Sequence, residues 1–316
     1  MRGVILDLAS MEDIDLAPLR AQLDQLDTHM LTSANQVAER IQGYDLVITN
    51  KVPLDREHII QAEQLKLICV IATGTDVVDK SAAREQGVPV CNAVAYGVEA
   101  VAQHTLSLML ALHTQLLPYH QAVKTGRWQQ SGQFCFLDYP IRELSGRSLG
   151  IIGYGHLGQA VALLGRAFGM QILVAERIGS ETCREGRLPL DTVFQQADVI
   201  SLHCPLTPET QHLINADRLS LMQPGSYLIN TARGPLMDEA AVAAALLSGH
   251  LGGVATDVLT TEPPRTGSPL LALDLPNLII TPHIAWGSLE ARQRIIEQTA
   301  ENISAFVGGR PMRVVN

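Results

Sequence analysis

The stretch that most restricts how this chain can fold lies near its middle. It reads Leu149-Gly150-Ile151-Ile152-Gly153-Tyr154-Gly155-His156-Leu157-Gly158-Gln159-Ala160, an apolar run that breaks into glycines and then resumes with helical periodicity. Gly153, Gly155 and Gly158 have GxGxxG spacing. Each glycine meets a different physical demand: a tight turn from strand to helix, backbone bare enough for a pyrophosphate to approach, and close packing of helix on strand. The helix that starts there turns its free N–H groups and positive dipole end toward anions. Glycines also cluster in ordinary turns, so the surrounding sequence has to decide.

It does so in favour of a dinucleotide-binding unit. Residues 161–170 continue a helix, and residues 171–175 read as a second buried strand that ends in Glu176. An acidic residue roughly twenty positions beyond the glycines is where a Rossmann unit accepts hydrogen bonds from the adenosine ribose. A carboxylate there repels the 2′-phosphate of NADP, which predicts NAD rather than NADP. Arg177 would offset that repulsion only by folding over the same ribose, and neighbours on an extended segment point to opposite sides.

The 316 residues suffice for two domains, and 47% hydrophobic with 17% charged residues is a globular composition. A net charge of −9 argues against nucleic acid or an anionic membrane as the main partner. No apolar run approaches the roughly 18 residues that cross a bilayer. The acidic N-terminal segment (Asp7, Glu12, Asp13, Asp15) does not read as a signal peptide. The five cysteines are scattered without CxxC spacing, which predicts buried thiols in a reducing cytoplasm rather than disulfides or a metal site.

Residues 1–96 alternate short strands (3–8, 45–49, 66–71, 88–91) with helical segments, an α/β unit of its own. Within it, Ala72-Thr73-Gly74-Thr75-Asp76 follows an apolar strand; it is either a carboxylate-binding turn or simply a turn. Residues 97–120 read as one long buried helix with its stop at Pro118. The segment 125–140 carries Trp128, Phe134, Phe136 and Tyr139, either a lid or an interface.

Beyond the glycine turn, strands at 197–202, 226–229, 251–255 and 278–281 precede His203-Cys204-Pro205, Asn230 to Gly234, Asp257 and Pro282-His283. In a doubly wound sheet the ligand lies outside the carboxyl ends of the strands, so residues distant in sequence converge there. Arg233, Asp257, Glu262 and His283 all sit just past such ends. Singly, Arg233, Glu262 and His283 have bland readings: a surface ion-pair partner, a loop carboxylate, a hydrogen-bonded core histidine. Together they are a chemical set, in which a guanidinium forks onto a carboxylate, an imidazole exchanges a proton near neutral pH, and a neighbouring carboxylate fixes the ring.

Several segments, in order, carry a resemblance over nearly the whole chain: Ala72 to Thr75, Val101-Ala102-Gln103-His104-Thr105, Gly126-Arg127-Trp128 through Phe134-Cys135, Gly153 to Gly158, Asn230 to Gly234, Asp257-Val258 through Glu262-Pro263-Pro264, and His283-Ile284-Ala285-Trp286. With them the chain resembles the D-isomer-specific 2-hydroxyacid dehydrogenase family, and is most similar to its glycerate dehydrogenase (hydroxypyruvate reductase) branch. The resemblance implies two doubly wound parallel-sheet domains, with a Rossmann dinucleotide-binding domain (98–286) inserted into a flavodoxin-like substrate domain (1–97 and 287–316). A helix over 289–306 and a terminal strand over 312–315 fit that return. It implies NAD(H)-dependent interconversion of a small 2-keto acid, such as hydroxypyruvate or glyoxylate, with the D-2-hydroxy acid, in a cytoplasmic homodimer.

The resemblance also assigns residues. Arg233 binds the substrate carboxylate and keto oxygen, His283 is the acid/base, and Glu262 is its partner. Thr73, Gly74, Thr75 and Trp286 join Arg233 and His283 around the substrate. Thr105, Gly153, Gly155, His156, Leu157, Gly158, Glu176, His203, Cys204, Pro205, Thr210, Thr231, Ala232 and Asp257 hold the cofactor, with Asp257 at its nicotinamide end.

Two other classes are weighed against this. A phosphotransferase of the P-loop kind needs a GK[ST] motif, which does not occur, and no lysine follows Lys124, which removes a Schiff base from the second half. A non-catalytic dinucleotide sensor on the same fold would have no use for Arg233, Glu262 and His283 together.

Overall fold

The computed structural model describes residues 1–180 and 182–316. The chain divides into two compact units, Met1–Gly97 with Gly287–Asn316, and Val98–Trp286.

In the first unit, β1 (Arg2–Ile5), β2 (Gln25–Thr28), β3 (Leu46–Thr49), β4 (Leu67–Val70) and β5 (Val90–Cys91) form a parallel sheet in the order β2-β1-β3-β4-β5. Every residue of β3 and β4 is buried, as expected of parallel strands covered on both faces. One face packs Val4, Val47, Ile68 and Val90 against Val37, Ile41, Ile59 and Ala82 of the crossover helices. The Leu289–Val307 helix starts at Ser288, whose hydroxyl accepts from the Ala291 N–H at 3.1 Å, and buries Ile295, Ile296 and Ile303. The last residues do not form a strand. Val314 makes a single antiparallel bridge to Cys91, and Asn316 accepts the Val90 N–H through its side chain at 2.8 Å. Arg313, in a left-handed conformation (φ 52°), interrupts the extended backbone that a longer ladder would need.

In the second unit, β6 (Ser148–Ile152), β7 (Gln171–Val174), β8 (Val199–Leu202), β9 (Ser226–Asn230), β10 (Leu251–Thr256) and β11 (Leu278–Ile280) form an all-parallel sheet in the order β11-β10-β9-β8-β6-β7. A single parallel bridge from Ala175 to Leu188 continues the edge beyond β7. Alternate strand residues feed two cores. Leu149, Ile151, Ile229 and Ala255 pack with Ala102, Met109, Leu112 and Val161 on one face. Ile152, Ile200, Leu228 and Val254 pack with Val193, Phe194, Val242 and Leu246 on the other. Because the chain leaves β6 toward β7 and later returns to its other side as β8, a crevice opens at the carboxyl ends beside β6.

The long helix read from residues 97–120 is two helices, Val98–Thr114 and Leu116–Lys124. The break falls at Gln115, which is left-handed (φ 54°), and not at Pro118. Pro118 lies in the first turn of the second helix, where a missing N–H costs nothing. The first helix is buried on the sheet, whereas Leu116, Leu117 and Val123 of the second are exposed.

Candidate active site

The glycine turn is built as its spacing demands. Gly153 has φ +94°, and a β-carbon there would stand 2.5 Å from the Cys204 nitrogen and the His203 carbonyl carbon. A β-carbon on Gly158 would stand 2.1 Å from the Gly153 oxygen, so any other residue would push helix from strand. Beside Gly155, by contrast, nothing lies within 4 Å of where a β-carbon would be. That open backbone, followed at once by the N-terminus of the His156–Ala167 helix with no side-chain cap, fits a pyrophosphate.

His203 follows β8 and bonds Ser201 Oγ through Nε2 at 2.8 Å, while its Nδ1 is buried with no partner among the described residues. Burial pushes its pKa down to about 4 from an ordinary 6.5, so the ring is neutral at working pH. The unfolded chain therefore takes up this proton first. Stability tied to His203 is present above pH 6.5 and declines as pH falls toward 4, by at most about 1.4 kcal/mol per pH unit. In urea titrations from pH 7 to pH 4, His203→Asn is expected to flatten this part of the acid profile; a slope equal to the parent's would exclude His203 as its source.

At the end of β9, Asn230 folds the next turn. Its Oδ1 accepts the Ala232 N–H at 3.0 Å and its Nδ2 donates to the Arg233 carbonyl at 2.9 Å. Arg233 is half-buried, with one guanidinium nitrogen donating to the Ala232 carbonyl at 2.7 Å. Gly234 then passes so close to the next loop that a β-carbon would lie 2.0 Å from the Leu259 carbonyl carbon. This contact brings the Arg233 turn against the 257–262 segment.

That segment carries Glu262, which pairs with His283 of the segment after β11. Glu262 Oε2 lies 2.6 Å from His283 Nδ1, and its Oε1 accepts the Leu259 N–H at 2.9 Å. With Nδ1 engaged, Nε2 is the nitrogen that can exchange a proton with a ligand. His283 sits at φ +55°, an unusual backbone for this residue, fixed by its own N–H to the Asp257 carbonyl at 2.7 Å. The Trp286 indole N–H donates to the His283 carbonyl at 2.9 Å and braces the same loop.

Asp257 organises this loop from beneath. Its carboxylate, 1% exposed, accepts the Thr281 hydroxyl at 2.5 Å, the Ile284 N–H at 2.9 Å and the Ala285 N–H at 2.8 Å. Because Thr281 gives its one hydroxyl proton to Asp257, His104 Nε2, 3.1 Å from Thr281 Oγ1, carries the hydrogen of that contact. His104 and Asn230 lie in segments that the sequence singles out without giving them a part, and Thr281 is not singled out at all; their pairings span up to 177 positions.

The remaining sequence-derived residues are placed as follows. Thr231 donates to Thr105 at 2.9 Å, because the Thr105 hydroxyl is given to the Val101 carbonyl. The pair ties the Val98–Thr114 helix to the end of β9. Thr210 donates to the Pro205 carbonyl at 2.8 Å and closes the turn after Cys204 and Pro205. His156 and Leu157 open the helix after the glycines. Thr73, Gly74 and Thr75 belong to the first unit, where Asn92 donates to the Thr73 carbonyl at 2.8 Å and Lys80 to the Thr75 hydroxyl at 3.2 Å. Glu176, expected to face a ribose, already accepts from its own chain: the Arg177 N–H at 2.8 Å, the Arg184 N–H at 2.9 Å and the Arg184 guanidinium.

Residues 106–285 match the family described as D-isomer specific 2-hydroxyacid dehydrogenase, NAD binding domain. The chain is 46% identical to the glycerate dehydrogenase of Methylorubrum extorquens over 89% of its own length and 88% of the relative's. It is 38% identical to the hydroxypyruvate reductase of Blautia hydrogenotrophica, with all of both chains covered. Among solved structures, the D-lactate dehydrogenase of Aquifex aeolicus complexed with NAD and lactic acid superposes with a TM-score of 0.80 at 32% identity, covering 98% of this chain and 96% of that one.

Proposed function

The chain belongs to the D-isomer-specific 2-hydroxyacid dehydrogenase family, and from that premise we propose that it reduces hydroxypyruvate, and more slowly glyoxylate, with NADH. The observation that carries this reading is the His283–Glu262 pair, 2.6 Å apart on a loop held by Asp257, beside the Arg233 turn. NADH, when bound, supplies hydride to the keto carbon. The chain's own part is the proton and the charge. Arg233 offers a fork to the substrate carboxylate and balances the negative charge that develops on the keto oxygen. Protonated His283 gives its Nε2 proton to that oxygen, while Glu262 holds Nδ1 and compensates the ring's charge before transfer.

We assign the pyrophosphate to the Gly153–Gly158 turn and the nicotinamide end to the neighbourhood of Asp257, Thr231 and the 203–205 segment. We also assign Thr73, Gly74 and Thr75 to substrate binding. The test is a panel of 2-keto acids followed by loss of NADH absorbance. Turnover with hydroxypyruvate above that with the other members supports the reading; NADH binding without oxidation by any member would favour a sensor instead.

The assembly is read as a homodimer. In the second unit, Trp128, Phe134, Leu137 and Ile141 are exposed alongside Leu116 and Leu117, an apolar surface suited to a second copy of this chain. Its segment is ordered internally by Arg127 pairing with Asp138 at 2.8 Å and by the Trp128 indole donating to the Phe134 carbonyl at 3.0 Å. Light scattering should report two chains per particle, and one chain would refute the dimer. No helix among the described residues is long and apolar enough to cross a membrane. Cys69 and Cys91 are buried as expected of thiols, but Cys135 and Cys183 are exposed and Cys204 is half-buried; we assign the chain to the cytoplasm, where exposed thiols stay reduced.

A further inference from the structure

Glu176 stands where the adenosine ribose of a dinucleotide finds its acceptor, yet its carboxylate is taken. The Arg184 guanidinium lies across both oxygens, with Nε 2.9 Å from Oε2 and 3.1 Å from Oε1 and a terminal nitrogen also on Oε1. The Arg177 and Arg184 N–H groups fill further lone pairs. Arg187 stands 3.8 Å from Oε1, and its guanidinium covers the Tyr154 ring 5.8 Å from the centroid, so a second cation links the acidic residue to the glycine turn. The Glu176 side chain is only 4% exposed, whereas that of Arg184 is 50% exposed. At the end of β7, then, the crevice meets a guanidinium and not a free carboxylate. The Arg184 contacts hold the Glu176 carboxyl well below the usual carboxylate range, so the pair stays ionic at working pH.

We propose that Arg184 sets the discrimination between NAD and NADP in this chain. By pairing with Glu176 it neutralises the charge that would repel a 2′-phosphate, and it presents a planar fork that suits a phosphate oxyanion. A ribose bearing a free 2′-hydroxyl has to compete with Arg184 for Glu176; a 2′-phosphate can recruit Arg184 instead. The loop that returns eight residues beyond Glu176, and not the acidic residue alone, tunes cofactor choice. This rests on the reading of the chain as an NAD(H) dehydrogenase.

Titration calorimetry tests the proposal on the purified protein with NAD⁺ against NADP⁺, and with 5′-AMP against 2′,5′-ADP. Arg184→Gln frees Glu176, so NAD⁺ should bind tighter and NADP⁺ weaker, raising the NADP⁺-to-NAD⁺ Kd ratio at least tenfold. The ratio for 2′,5′-ADP to 5′-AMP should move the same way. If Arg184→Gln does not fold, Arg184→Lys, which keeps the charge but loses the fork, should shift both ratios about threefold in that direction. Ratios within twofold of the parent's while NAD⁺ still binds would overturn the role of Arg184 alone. No NAD⁺ binding by the folded parent would overturn the dehydrogenase reading with it.

Discussion

His283→Ala is expected to lower turnover by about 10²-fold or more, the usual contribution of a positioned acid or base. The expectation follows from geometry. Nδ1 is engaged by Glu262 at 2.6 Å, so Nε2 is the nitrogen left to hand a proton to the keto oxygen. Without it, that proton has to come from water. A loss could also arise from relaxation of the loop, because His283 sits at φ +55°. His283→Asn separates the two causes, since asparagine tolerates left-handed backbone. Both variants should fall by the same factor at saturating substrate, read as NADH consumption with hydroxypyruvate. Turnover within threefold of the parent in His283→Asn would remove the imidazole from the chemistry.

Arg233→Gln should cost still more in kcat/KM, about 10³-fold. A charge-assisted contact to the substrate carboxylate contributes roughly 2 kcal/mol, or about 30-fold, and loss of a donor to a developing oxyanion costs roughly another 10²-fold. The two effects separate kinetically: the first raises KM and the second lowers kcat. Arg233→Lys keeps the charge but not the fork, and should recover part of kcat and little of KM. The Asn230-built turn does not depend on the Arg233 side chain, so the variants should stay folded. A kcat/KM for Arg233→Gln within tenfold of the parent would place substrate recognition elsewhere.

What could be read from the sequence was what is fixed locally. The glycine turn is legible because two of its positions cannot hold a β-carbon at all, a constraint written in three letters. The buried parallel strands are legible because covering both faces leaves a continuous apolar run, as in β3 and β4. By contrast β2, Gln25–Thr28, is an edge strand of mostly polar residues without that signal. The helix break at Gln115 was masked by the stronger expectation attached to Pro118, which a first helical turn accommodates. At the site, Arg233, Glu262 and His283 announce themselves as chemistry past strand ends. The Thr281 and His104 partners of Asp257 do not, because hydroxyl, carboxylate and imidazole meet only after β10, β11 and the Val98–Thr114 helix have packed. Glu176 shows the same limit from the other side: its place is legible, but its partner comes from a loop whose return no periodicity encodes.

With the 2-keto acid held by the Arg233 fork and its keto oxygen on His283, hydride should reach only one face of the carbonyl carbon, so that a single hand of product forms. Chiral chromatography of glycerate made from hydroxypyruvate and NADH reads this directly. D-glycerate as the sole product is the expected result; L-glycerate, or a racemic mixture formed by the enzyme, would contradict it.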